Sequence, residues 1–133
     1  MSTYLITGGA GFIGSHFVRH IAQTQENAKI LVLDALTYAG SLDNISDIDG
    51  DIHFLGPKDE TGTPIGIHIQ DKESVESYAF NDHTIDYVVH FAAESHVDRS
   101  IANADDFIQT NVVGTQVLLD LSRHHKVQRF LHV

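Results

Sequence analysis

Thr7-Gly8-Gly9-Ala10-Gly11-Phe12-Ile13-Gly14 sets glycines three residues apart directly after the apolar, β-branched run Thr3 to Thr7. A buried strand that meets such a string has to turn sharply, and the spacing after it is helical: Ile13, Phe17 and Ile21, with Val18 one turn offset, form an apolar stripe reaching about Gln25. Gly8 is read as the turn itself, Gly11 as the point where backbone can approach a bound pyrophosphate, and Gly14 as the place where helix and strand pack closely. Alone, such a string marks only a turn. Here Lys29 to Leu33 supplies a second continuous apolar run, and Asp34 follows Gly14 by 20 residues at the end of it. Strand, glycine loop, helix, strand and acid in that order form a dinucleotide fingerprint.

Farther along, only Ile52 to Leu55 looks extended between Ala35 and Pro64, where Gly, Asp, Asn and Pro are frequent. Ile65 to Ile69 reads as a third strand, Lys72 to Phe80 as a short helix, and Asp86 to Phe91 as a fourth strand. Asp105 to His124 reads as a long helix carrying Phe107, Ile108, Val112, Val117, Leu118 and Leu121, and Arg129 to Val133 opens a fifth strand. Strands alternating with helices predict an α/β fold, a Rossmann-type doubly wound parallel sheet with helices on both faces. Residues 1–133 are expected to form one dinucleotide-binding domain, truncated after the fifth main strand.

The carboxylate of Asp34 suits the ribose hydroxyls of an adenosine and would repel a 2′-phosphate, so NAD is expected rather than NADP. Ala35 agrees, since it offers no cation there. A net charge of -10 opposes nucleic-acid binding and also an anionic cofactor, so phosphates must be held by local donors such as the N–H groups of a helix N-terminus. With no cysteine, disulfides and thiolate chemistry are excluded. No run approaches the roughly 18 apolar residues of a membrane span, and no signal peptide is recognisable, so a cytoplasmic protein is expected.

The three-and-three glycine spacing resembles the short-chain dehydrogenase/reductase superfamily, and Gly8-Gly9-Ala10-Gly11-Phe12-Ile13-Gly14 resembles its extended form. The segments Leu33 to Asn44 (LDALTYAGSLDN), His90 to Ile101 (HFAAESHVDRSI), Thr110 to Thr115 (TNVVGT) and Phe130 to Val133 resemble the dTDP-glucose 4,6-dehydratase family. That resemblance implies that Phe12 and Ile13 lie against the pyrophosphate, and that Asp34, Ala35, Leu36 and Thr37 surround the adenosine. It implies that Phe91, Ala92 and Ala93 line the path to the nicotinamide with Thr110 nearby. Ser95 would face both cofactor and sugar, His96 and Val97 would border the substrate, and Asn111 would steady the site. The family's Asp-Ile pair at the adenine is here His68-Ile69, and an imidazole can accept the same hydrogen bond. Leu55 to Pro64 looks like an insertion forming a surface hairpin or loop.

Full-length relatives would oxidise C4 of a nucleotide-bound glucose, eliminate water across C5 and C6, and return hydride to C6. The resemblance also implies a Tyr-x-x-x-Lys pair, yet none of Tyr4, Tyr38, Tyr78 or Tyr87 has a lysine four residues later. The resemblance thus implies that residues 1–133 are an incomplete NAD-binding domain whose substrate domain and catalytic segment are absent, and this chain is expected to bind NAD without turnover and to hold no catalytic residue. A UDP-sugar epimerase or decarboxylase of the same extended family, or an inactive NAD-binding module, are the alternatives. The resemblance implies a homodimer through the 105–124 helix.

His16 and His20 stand four apart on the first helix but lack a third ligand, so no metal is expected. His124 and His125 read as favourable groups at a helix C-terminus. Asp98-Arg99 reads as an ion pair fixing its loop, and Asp47, Asp49 and Asp51 as a solvated turn.

Overall fold

The computed structural model describes residues 1–133, with every side chain except that of Arg99, so the Asp98–Arg99 pair lies outside the described side chains. Five strands form one sheet in the order β3-β2-β1-β4-β5, every neighbouring pair parallel. They are β1 (Ser2–Thr7), β2 (Ala28–Leu33), β3 (Asp51–Phe54), β4 (Tyr87–His90) and β5 (Arg129–His132). The central β1 sets Leu5 beside Leu31 on one side and beside Val88 on the other.

Alternation along the strands splits the core in two, because successive side chains point to opposite faces. Ile6, Ile30 and Val32 pack on one face with Val18 and Ile21 of α1 (Phe12–Thr24). Leu5, Leu31, Leu33 and Val88 pack on the other with Val75, Phe80, Leu118 and Leu121. That second face is covered by α2 (Lys72–Val75), which widens into a π-helical turn over Glu76–Phe80, and by the last part of a long helix. A short helix α3 (Val97–Ala102) precedes that long helix, which runs as α4 (Ala104–Phe107), a π-helical stretch (Ile108–Gly114) and α5 (Thr115–His124). Each fully buried aliphatic side chain contributes about 1.5–3 kcal/mol, which explains why near-continuous apolar runs mark the central strands.

One expected strand is absent. Ile65 to Ile69 makes no sheet pairing, and the third strand is Asp51–Phe54, paired with β2. The segment instead crosses the carboxyl end of β2, where Ile67 N–H donates to Asp34 O at 2.9 Å, and Gly66 turns it with φ +82°. Ile67 and Ile69 are buried because they cap the core, so an apolar run signalled burial without signalling a ladder. The true third strand sits at an edge and alternates Asp51 and His53 outward, which hid it.

The segment Leu55 to Pro64 contains a hairpin, one of the two forms expected of it. Lys58 and Pro64 form an antiparallel bridge, and the Asp59 carboxylate accepts the N–H groups of Thr61 and Thr63 across the turn. Among the described residues, no helix is long and apolar enough to cross a membrane.

Candidate functional site

A cleft of about 430 Å³ opens at the carboxyl ends of β1, β2 and β4. Its floor is the glycine loop. Gly8 adopts φ +68°, and a Cβ there would stand 2.7 Å from Ala92 N. A Cβ at Gly14 would collide with the carbonyl of Gly8, so strand end and helix start touch backbone to backbone. α1 starts with Gly11 as its N-cap and no side chain capping it. Its first N–H groups therefore remain donors for an anion at the cleft floor.

Asp34 is buried and held from three directions. Its Oδ2 accepts Ala10 N–H at 3.0 Å and its Oδ1 accepts Leu36 N–H at 2.9 Å. Gly40 approaches so closely that a Cβ there would lie 2.6 Å from Oδ1. Leu36 pays for its bond with a left-handed φ of 52°, a conformation that costs a branched side chain about 1–2 kcal/mol. Asn44 then closes the loop by donating to Ala10 O at 2.7 Å.

The opposite wall is the loop after β4. Asn111 clamps it by accepting Glu94 N–H at 2.8 Å and donating to Glu94 O at 3.0 Å. The Tyr38 hydroxyl reaches across and donates to Glu94 Oε2 at 3.1 Å. Beneath this loop lies His90, fully buried, between Thr7 Oγ1 (2.7 Å from Nδ1) and Thr115 Oγ1 (2.9 Å from Nε2). Burial, reinforced by the nearby His132 imidazole, pushes the His90 pKa down to about 4.

The structure brings Gly8, Gly11, Phe12, Ile13 and Gly14 to the cleft together with Asp34, Ala35 and Thr37. His68, Ile69, Phe91, Ala92, Ala93, Ser95 and Thr110 line it as well. Phe12 and Ile13 are strongly exposed, with 79% and 64% of their surface open, as befits apolar groups at the rim of a site. Three expected residues do not line it. Leu36 serves through its backbone N–H on Asp34, His96 sets its ring against Tyr38 at 5.6 Å, and Val97 is exposed on α3.

Ala39, Gly40, Ile67, Gln70, Glu94 and Val133 line the cleft without having been singled out for it. Gln70 Oε1 is buried there with no hydrogen-bond partner among the described residues. Periodicity carries no signal for these positions, because tertiary folding alone brings their loops to the strand ends. The same holds for Glu76, His124 and His125, whose ligand atoms lie within 4.8 Å of one another outside the cleft lining. His16, by contrast, turns its Nδ1 to Phe12 O at 2.7 Å.

Residues 5–133 match the family model described as GDP-mannose 4,6 dehydratase. A dTDP-glucose 4,6-dehydratase of Streptomyces antibioticus is 44% identical over 134 residues, covering 97% of this chain and 36% of that protein. The crystal structure of a dTDP-glucose 4,6-dehydratase of Streptomyces venezuelae, solved with NAD bound, superposes with a TM-score of 0.77 at 42% identity. That match covers 96% of this chain and 38% of the other. The UDP-Glc/GlcNAc 4-epimerase of Campylobacter jejuni superposes with a TM-score of 0.82 at 30% identity, over 99% of this chain and 36% of that one. The chain thus spans about a third of the length of the relatives it matches.

Proposed function

The chain belongs to the GDP-mannose 4,6 dehydratase family, and from that premise we propose that it is the NAD-binding portion of a nucleotide-sugar dehydratase acting on dTDP-glucose. The observation that carries the reading is the cleft floor: an uncapped helix start, glycines with no room for a Cβ, and Asp34 held rigidly beside them. Those features fit a dinucleotide. The loop leaves N–H donors for a pyrophosphate, and the carboxylate suits an adenosine ribose while disfavouring a 2′-phosphate.

In this reading Phe12 and Ile13 flank the pyrophosphate, and Ala35, Thr37, His68 and Ile69 surround the adenosine. Phe91, Ala92, Ala93 and Thr110 lead to the nicotinamide, and Ser95 faces the sugar, with His96 and Val97 beyond the lining. When bound, the cofactor supplies hydride acceptance and return. The chain's own residues bind and orient it; the 133 residues contain no Tyr-x-x-x-Lys pair to act as base. Binding without turnover follows, and release of a 4-keto sugar from dTDP-glucose by this chain would contradict it. A homodimer through the 105–124 helix fits the exposure of Ile108 and Val112. A UDP-sugar epimerase shares the same cofactor fold, and its solved relative is the reason to keep that substrate class as the second reading.

Calorimetric titration tests the premise. NAD is expected to bind at least about tenfold more tightly than NADP, a difference of about 1.4 kcal/mol. Equal or tighter binding of NADP would overturn the role given to Asp34.

A further inference from the structure

His90 connects the glycine turn, the loop after β4 and the long helix, and the bonds around it fix where its single proton sits. Thr115 Oγ1 donates to Asn111 O at 2.8 Å, so its proton is already used and it must accept from His90 Nε2. Thr7 Oγ1 accepts Ala92 N–H at 3.2 Å and is fully buried, so its own proton has the unprotonated His90 Nδ1 as its acceptor. Both threonines call for the same tautomer. A second proton on Nδ1 would leave the Thr7 hydroxyl without an acceptor in the interior, which costs a buried donor its hydrogen bond.

The groups packed on the ring keep it neutral. β1 presents Thr7, the helix presents Thr115 and Asn111, and β5 presents His132, stacked at 4.8 Å and 22° and itself a potential cation. No carboxylate is among them. A positive imidazole has no compensating charge there.

The two chains of bonds end at the cleft. One leads through Thr7 to Ala92 N–H, beside the contact between Gly8 and Ala92 that leaves no room for a Cβ. The other leads through Thr115 to Asn111, whose amide holds both backbone groups of Glu94. We infer that His90, held as the neutral Nε2–H tautomer, is a positioning residue that ties the Ala92–Glu94 loop to both the glycine turn and the Asn111 helix, and so sets the width of the cleft. The inference rests on the cleft being the NAD site.

Nitrogen-15 spectra of the histidine rings in the full chain test the tautomer without any ligand. The expected pattern is an Nε2–H ring for His90 that does not change between pH 5.5 and 8, within the window left open by its depressed pKa. An Nδ1–H ring, or titration inside that range, overturns the inference. Thr115→Val then removes one link with little change of volume, and His90→Asn keeps an acceptor near the Nδ1 position while losing reach to Thr115. Both are expected to speed amide exchange at Glu94 and to weaken NAD binding about tenfold, whereas Thr7→Val is expected to speed exchange at Ala92. If the folded variants bind NAD as tightly as the parent, His90 merely supports the fold and the positioning role is refuted. If the parent itself binds no NAD, the functional reading fails, while tautomer and exchange still judge the network.

Discussion

The glycine-loop wall of the cleft and the helical segment beyond its opposite wall are built on opposite terms. On the glycine-loop side, Asp34, Ala10, Leu36 and Asn44 satisfy one another through backbone and carboxylate bonds, and Gly14 and Gly40 let the chain close on itself. Beyond the loop after β4, the chain from Val97 to Val112 leaves large apolar groups in the open, outside the cleft lining: Val97 is 71% exposed, Ile101 81%, Ile108 52% and Val112 60%. The first wall is preorganised by local geometry, which is what holding a phosphate with backbone donors demands. The helical segment carries the apolar surface that an association would bury, in keeping with the homodimer proposed above.

The sharpest way to break this contrast is Gly14→Ala. Its Cβ would press on the Gly8 carbonyl, and neither backbone segment can yield without moving β1 or α1. A loss of about 4 kcal/mol in denaturant unfolding is expected, together with loss of NAD binding. Full stability in the variant would show that the wall is looser than its contacts indicate.

Acid probes the joint between the walls. Folded His90 takes up a proton only near pH 4, whereas an unfolded imidazole does so near 6.5, so the unfolded chain binds the extra proton as pH falls. The contribution is fully present above about pH 6.5, declines through the interval, and is lost by about pH 4, amounting to about 3 kcal/mol. His83, lowered by partial burial and by Lys29, acts in the same direction. The unfolding free energy measured as pH is lowered across this interval should therefore fall steeply for the parent and less so for His90→Asn, and parallel curves would exclude His90 as the source.

The smallest expected effect falls on the exposed helical segment. Val112→Asp should change unfolding free energy by no more than about 0.5 kcal/mol, since the side chain is exposed, yet abolish self-association in sedimentation. A monomeric parent would remove the dimer proposal, and an unfolded variant would show that the exposed face is part of the core.

These contrasts follow what a linear chain can disclose. The glycine spacing, the apolar runs of β1, β2 and β4, the stripe of α1 and the acid after β2 depend on neighbours within a few tens of residues, and each is where the sequence placed it. The sequence alone therefore determined the parallel α/β sheet, the glycine turn after its first strand and the carboxylate placed beside it. Local covalent geometry and burial on both sheet faces leave few other solutions. Tertiary structure decided the rest. It gave the third place in the sheet to Asp51–Phe54 over the more apolar Ile65 to Ile69, because ladder bonding depends on which backbone lies beside β2. It brought Tyr38 to Glu94, and Thr7 and Thr115 to His90, across separations of up to 85 residues in the case of Thr7 and Ala92. Such contacts carry no periodicity. They arise from the closeness of strand ends in a folded sheet, which no spacing along the chain encodes.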